Sequence, residues 1–169
     1  KDLVGKRFGV PEYQMTAPVW IRGILSDEYG VAPTSMDYFT GGEEEPGRDE
    51  KLKLNLPPAF SVTPIGPTRT LAQMLADGEI DALHTARTPS TFYSRPHDVK
   101  RLFPDFVAVE KDYFRRTGIF PIMHVVAIRR SVYEANRWIA QSLFKALREA
   151  QQLAYDNLAV TSAMTTMLP

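Results

Sequence analysis

Cysteine is absent from the 169 residues, which excludes disulfides, thiolate metal sites and a thiol nucleophile. Net charge is lacking too. Twenty basic side chains balance twenty acidic ones, so no summed field draws the chain to nucleic acid or anionic lipid, and the expected partner is a small molecule or another protein. Long apolar runs are also missing. The longest candidate, residues 118–128, has 11 residues and contains His124, short of the ~18 that a membrane span needs. Glycine and proline, 10 and 13 in number, are too few for a disordered chain, and an apolar content of 44% supplies a real core. The length fits one domain, or one lobe plus part of another.

Catalytic signatures are equally sparse. No two His or carboxylate residues show a short ligand spacing such as His-x-x-x-His, so no metal is expected. Neither a Gly-x-Gly-x-x-Gly loop, nor a phosphate-loop lysine, nor a Gly-x-Ser-x-Gly elbow is present, and no cofactor is expected. The chain opens at Lys1 with no signal-peptide pattern and ends in a Thr- and Met-rich stretch that completes no element. We expect a segment of a longer chain.

Strands alternate with helices along the sequence. Residues 6–10 (Lys-Arg-Phe-Gly-Val) predict a strand, followed by a helix over residues 17–29 with Thr16 as N-cap, Pro18 in the first turn and Gly30 as the stop. Trp20, Ile24 and Leu25 give that helix an apolar face. Arg22, ~200° round from Trp20 at 3.6 residues per turn, reads as a surface charge. Residues 36–39 predict a second strand, and residues 61–65, interrupted by proline, an edge strand. Between them residues 41–53 hold eight charges in thirteen positions around Gly41-Gly42 and Pro46-Gly47, the composition of a solvated loop, with a lid as the alternative.

Thr68 or Thr70 can cap a short helix carrying Leu71, Met74 and Leu75, which Gly78 stops before a strand over residues 80–84. A helix near Phe92, a short strand over residues 106–109 and a last strand over residues 122–128 follow. Ser131 and Glu134 have capping-box spacing. Asn136 can cap a long helix over residues 137–158, with Ala140, Leu143, Phe144, Leu147, Ala150 and Ala154 as its buried stripe.

This alternation predicts an α/β fold with a mixed, mostly parallel sheet. Ligands of such sheets bind at the carboxyl ends of the strands, where helix N-termini offer free N–H groups and partial positive charge. Two loops fit. The first, Pro11-Glu12-Tyr13-Gln14-Met15-Thr16, presents Gln14, the Thr16 hydroxyl and the N–H groups of Ala17 and Val19. The second, residues 85–91, brings Arg87 and Ser90, and a guanidinium pairs a carboxylate bidentately. His84 and His124 end or interrupt apolar strands and read either as satisfied core residues or as catalytic ones. His97 reads as exposed.

Residues Leu75-Ala76-Asp77-Gly78-Glu79-Ile80-Asp81-Ala82, with the opening Gly5-Lys6-Arg7-Phe8-Gly9-Val10, resemble one lobe of type II periplasmic substrate-binding proteins. Tyr13-Gln14-Met15-Thr16, Arg22-Gly23-Ile24-Leu25 and Phe120-Pro121-Ile122-Met123-His124 resemble more narrowly the 4,5-dihydroxyphthalate decarboxylase family. The resemblance implies a two-lobed chain: residues 1–121 an inserted lobe, 122–130 a hinge strand, and 131–169 a helix with part of the second lobe.

The resemblance further implies a carboxy-lyase that needs no organic cofactor and acts on a dihydroxylated aromatic dicarboxylate. His84 and His124 would be its catalytic residues, and Gln14, Thr16, Ala17, Arg87 and Ser90 would hold substrate. The alternative is a solute-binding protein for a small carboxylated ring. An enzyme would be cytoplasmic and a solute receptor periplasmic. The apolar stripe of the last helix, left uncovered, would invite a homodimer.

Overall fold

A computed structural model describes residues 2–160. It divides into two compact units, Lys1–Met123 and His124–Pro169.

The first unit is an α/β layer built on four parallel strands, β1 (Arg7–Val10), β2 (Asp37–Thr40), β3 (Ser61–Pro64) and β4 (Ala82–Leu83), in the order β3-β2-β1-β4. Arg7 to Val10 pair in parallel with Asp37 to Thr40, Phe8 and Gly9 pair with Ala82 and Leu83, and β3 runs parallel outside β2. The sheet is therefore parallel throughout its described pairings, where the sequence suggested a mixed one. Parallel neighbours require crossovers. Helix α1 (Thr16–Tyr29) carries the chain from β1 to β2, and α2 (Leu71–Ala76) carries it from β3 to β4. Because β2 and β4 lie on opposite sides of β1, the strand order reverses beside β1, which is where such sheets open a crevice at their carboxyl ends.

Two apolar clusters fix the layer. Phe8, Val10, Leu25, Val31, Met36 and Tyr38 pack between sheet and α1, and Ile65, Leu71, Met74 and Ile80 pack around α2. Gly9 in β1 lets α2 and the approach to β4 pack closely on the sheet, since a Cβ there would come within 2.6 Å of Ile80 Cδ1 and 3.1 Å of Leu71 Cδ2. At the other end of β1, Arg7 donates to Asp81 through its backbone N–H, Nε and Nη2, each at 2.9 Å, tying β1 to the start of β4. That pairing holds the Asp81 carboxyl down at about 2.

Helix α1 begins one residue earlier than the sequence suggested. Met15 is its N-cap, extended and without a side-chain cap bond, and Thr16 is its first helical residue. Pro18 tolerates this because the third helical position has no intrahelical use for an N–H. Gly30 ends the helix in the left-handed region at φ 66°, its N–H returning to Ser26 O. The buried side is Pro18, Arg22 and Leu25, so Arg22 faces the sheet and Trp20 lies half-buried at the flank, donating to Ile122 O at 2.9 Å. The reading of Arg22 as a surface charge is thereby overturned.

Thr70 caps α2 by accepting from Gln73 N. Helix α3 (Ser90–Ser94) is short, and residues 106–109, expected as a strand, instead open α4 (Phe106–Thr117). Asp105 caps α4 by accepting from Ala108 N at 3.2 Å, and an Asp112–Arg116 pair one turn apart supports it. Arg116 reaches Glu28 Oε2 at 2.6 Å and docks α4 beside α1.

Residues 122–128 form no strand, since no described strand offers them a ladder. In the second unit, α5 (Arg130–Ala135) starts behind Arg129 with no side-chain cap, so the Ser131/Glu134 box is not formed. Asn136 closes α5 and does not cap α6 (Trp138–Ala159), whose N-cap is Arg137. Among the described residues of this unit, two helices are too few to cover a stripe: Ala140 and Leu143 are half-buried, while Phe144, Leu147, Ala150 and Ala154 are exposed. Residues 161–169 of the expected second-lobe segment lie outside the described residues. No helix among the described residues is long and apolar enough to cross a membrane.

Candidate functional site

The carboxyl ends of β1, β2 and β4 surround a cavity of about 630 Å³, lined by Pro11 and Met15 after β1, residues 42–48 after β2 and residues 85–88 after β4. Its wall is charged. Glu43, Glu44, Glu45 and Arg48 come from the segment that the sequence assigned to a solvated loop, and Arg87 stands on the β4 side.

That segment is held at both ends. Leu71 N and Ala72 N, the first N–H groups of α2, donate to Gly42 O and Glu43 O at 2.8 and 3.0 Å. Gly42 is obligatory, because a Cβ there would fall 1.6 Å from Glu45 O. At the far end Glu50 Oε1 accepts from Tyr13 N at 2.5 Å, and Glu12, buried after β1, pairs with Arg48 and with Lys51 at 3.4 Å. The charged residues therefore stitch the loop after β2 to the loop after β1, which explains why a composition typical of solvent builds a wall.

Glu43, in the cavity wall, is altered by its setting. Its Oε2 accepts from Thr85 Oγ1, Thr85 Oγ1 in turn accepts from Arg87 N at 3.1 Å, and Oε1 is buried with no protein partner among the described residues. Burial pushes the carboxyl above the usual carboxylate range, and neighbouring Glu44 adds to this. The Thr85 bond and the charges of Arg87 and Arg48 oppose it without reversing it.

The residues expected to form the site divide. Arg87 lines the cavity, and Met15 does so in place of its neighbours; Gln14, Thr16 and Ala17 are outside the lining, Gln14 and Thr16 exposed and Ala17 half-buried. Ser90 does meet a carboxylate, but an internal one: Glu44 accepts from Ser90 N and from Ser90 Oγ, both at 2.7 Å.

His84 is 4% exposed. It lies edge-on to Phe8 at 4.6 Å, and neither ring nitrogen has a protein partner among the described residues. Burial, reinforced by the Arg22 charge, pushes its imidazole down to about 3, so it is neutral near pH 7. His124 is exposed at the start of the second unit, and His97 is exposed in the first.

Behind the cavity, Tyr13 is clamped. Arg22 Nη2 donates to Tyr13 O at 2.6 Å, the guanidinium stacks 3.8 Å from the Tyr13 ring centroid, and Tyr13 meets Tyr38 edge-on at 5.0 Å. Sequence reasoning missed both this clamp and Glu43. Arg22, at the spacing of Pro18 and Leu25 on α1, was the available signal for the first, and Gly41-Gly42 directly after a strand was the signal for the second. Among the described residues, no group of three or more His, Asp or Glu side chains is arranged to hold a metal.

Fold and cavity together define an α/β lobe with a charged strand-end pocket of a size suited to a small molecule. No family model matches the chain. Two curated proteins do, and both are named 4,5-dihydroxyphthalate decarboxylase. The protein of Comamonas testosteroni is 41% identical over 168 residues, 99% of this chain and 51% of its own length. The protein of Pseudomonas putida is 43% identical over 114 residues, 68% of this chain and 44% of its own length. The resemblance seen in the sequence blocks thus extends along nearly the whole chain, which spans about half the length of the curated relatives it matches.

Proposed function

We propose that the chain supplies the substrate-holding lobe of a 4,5-dihydroxyphthalate decarboxylase. The lobe would be of the type II periplasmic-binding-protein-like kind, in a cytoplasmic carboxy-lyase. The observation that carries this reading is the charged cavity at the carboxyl ends of β1, β2 and β4, set in a chain that is 41% identical to a protein of that name over 99% of its residues.

The reaction makes three demands. Two adjacent carboxylates must be held, the ring carbon bearing the departing one must be protonated, and charge must be stabilised as carbon dioxide leaves. Arg87 at the cavity rim suits the first, since a guanidinium grips a carboxylate through two parallel bonds. The N-terminus of α1, which no side chain caps, adds partial positive charge on the β1 side. Met15 and Pro11 offer apolar surface to a ring.

Incubating the full-length protein with 4,5-dihydroxyphthalate tests the reading by following carbon dioxide and 3,4-dihydroxybenzoate. We expect stoichiometric release of both without added organic cofactor. Tight binding with no turnover would make the protein a receptor for a carboxylated ring, and neither binding nor turnover would reject the substrate class.

A further inference from the structure

Resting on the decarboxylase reading, we propose that Glu43 is the catalytic residue that delivers the proton to the ring carbon losing its carboxylate. The geometry is that of a held acid. The Gly41-Gly42 turn and the first N–H groups of α2 fix the backbone of Glu43 at the cavity wall. Thr85 Oγ1, itself anchored by Arg87 N, occupies one carboxyl oxygen. The other oxygen is buried without a protein partner, on a residue that lines the cavity where a ring would lie. An orphaned buried acceptor is costly, whereas a protonated carboxyl that turns this oxygen to the cavity when substrate enters has a proton to donate. Burial favours that protonated form.

Arg87, on the same loop as Thr85, would place a substrate carboxylate near this oxygen. Thr85 thereby couples the group that grips the substrate to the group that protonates it. The step balances as follows. The Glu43 proton passes to the ring carbon, whose π pair forms the new C–H bond, and the positive charge spreads to the hydroxyl oxygen para to that carbon. The bond to the carboxylate carbon then breaks, its electron pair restores the aromatic ring, and carbon dioxide leaves. Glu43 is left as carboxylate and regains a proton from solvent, so the net change is one proton taken up and one carbon dioxide released.

The test compares the full-length wild-type protein with Glu43→Gln, which keeps the shape and an acceptor for Thr85 but holds no acidic proton. We expect kcat to fall ~10²-fold or more, the scale of general acid catalysis, with KM within about 3-fold. Acetate should restore part of the rate to Glu43→Ala. Turnover by Glu43→Gln within about 5-fold of wild type would overturn the assignment and leave the decarboxylase reading standing, whereas absence of turnover in the wild type would remove both. If the Gln variant fails to fold by circular dichroism, Glu43→Asp decides. Setting the acid back by one methylene should cost about 10-fold in kcat, and a wild-type rate would reject Glu43.

Discussion

Two titratable side chains stand at the ends of the strands that flank β1, half-buried Glu43 after β2 and buried His84 after β4, and burial acts on them to opposite chemical effect. Both are driven toward the uncharged form, because desolvation penalises charge of either sign. For the carboxyl the uncharged form is the one that still holds a proton. For the imidazole it is the one that has already lost it. Of two groups desolvated near one cavity, the carboxyl is therefore the one that burial favours in its proton-holding form, although histidine is the residue that a sequence first offers for the task. The surroundings reinforce the division. Glu43 lines the cavity and keeps one oxygen unspent, while His84 is sealed among Phe8 and Tyr38 with the Arg22 charge nearby.

The largest expected effect is on the sealed side. Arg22→Ala removes the charged hydrogen bond to Tyr13 O and the stacked guanidinium, and leaves a void beneath the loop after β1. We expect a loss of about 2–4 kcal/mol in urea unfolding. A loss below about 0.5 kcal/mol would show that the clamp on Tyr13 is incidental.

Acid pH separates the two groups next. Unfolded histidine binds a proton below about 6.5, but buried His84 does so only near 3. The unfolded state therefore takes up protons first, and stability present above pH 6.5 is lost as pH falls, at up to ~1.4 kcal/mol per pH unit. Between pH 6.5 and 5 the loss should approach 2 kcal/mol and should vanish in His84→Leu. The ion-paired Asp81, held at about 2, loses its contribution only at pH values below that window. Glu43 has the opposite sign: its folded carboxyl titrates above its unfolded value, so its contribution is lost as pH rises. Glu43→Gln should accordingly abolish a decline that sets in as pH rises through the unfolded carboxyl value of about 4.3. His84→Leu should keep kcat within about 3-fold, and a ~10²-fold loss would return the proton-donor role to histidine.

A middle-sized effect tests the cavity side alone. Arg87→Ala in the full-length protein should raise KM for 4,5-dihydroxyphthalate about 10–30-fold, and Arg87→Lys should recover only part, since a point charge lacks the bidentate fork. An unchanged KM would remove Arg87 from substrate holding.

Much of this layout was legible in the sequence because it is local. The apolar run of β1, the Gly30 stop, the Thr70 cap and the Gly78 step into β4 are each written within a few residues, and they place the strand ends. What escaped is non-local or ambiguous in period. Trp20 drew the apolar face of α1 toward itself, whereas the buried positions are Pro18, Arg22 and Leu25. Arg22 is tolerated there because two tyrosine rings and a carbonyl receive it. Phe106 to Val109 read as a strand from four residues, but Asp105 supplied a helix cap that decided otherwise. The wall of residues 42–48 was hidden because its charges find partners far along the chain, Glu12 for Arg48 and Thr85 for Glu43, and composition carries no record of such pairings.

The smallest effect concerns the carboxylate that already occupies a place the sequence reserved for substrate. Glu44 accepts from both Ser90 N and Ser90 Oγ, so a dianionic ligand entering the cavity meets a fixed negative charge beside it. Glu44→Gln keeps an acceptor for Ser90 and removes that charge. In a solvent-open setting such a repulsion amounts to less than about 1 kcal/mol, which corresponds to a KM lowered about 2–4-fold with kcat unchanged. Added salt should shrink the difference, because exposed charges are screened within ~8–10 Å at physiological ionic strength. A KM that rises would instead mean that the Glu44 carboxylate supports the wall by holding Ser90, and that its charge is less important to the ligand than the loop geometry it maintains.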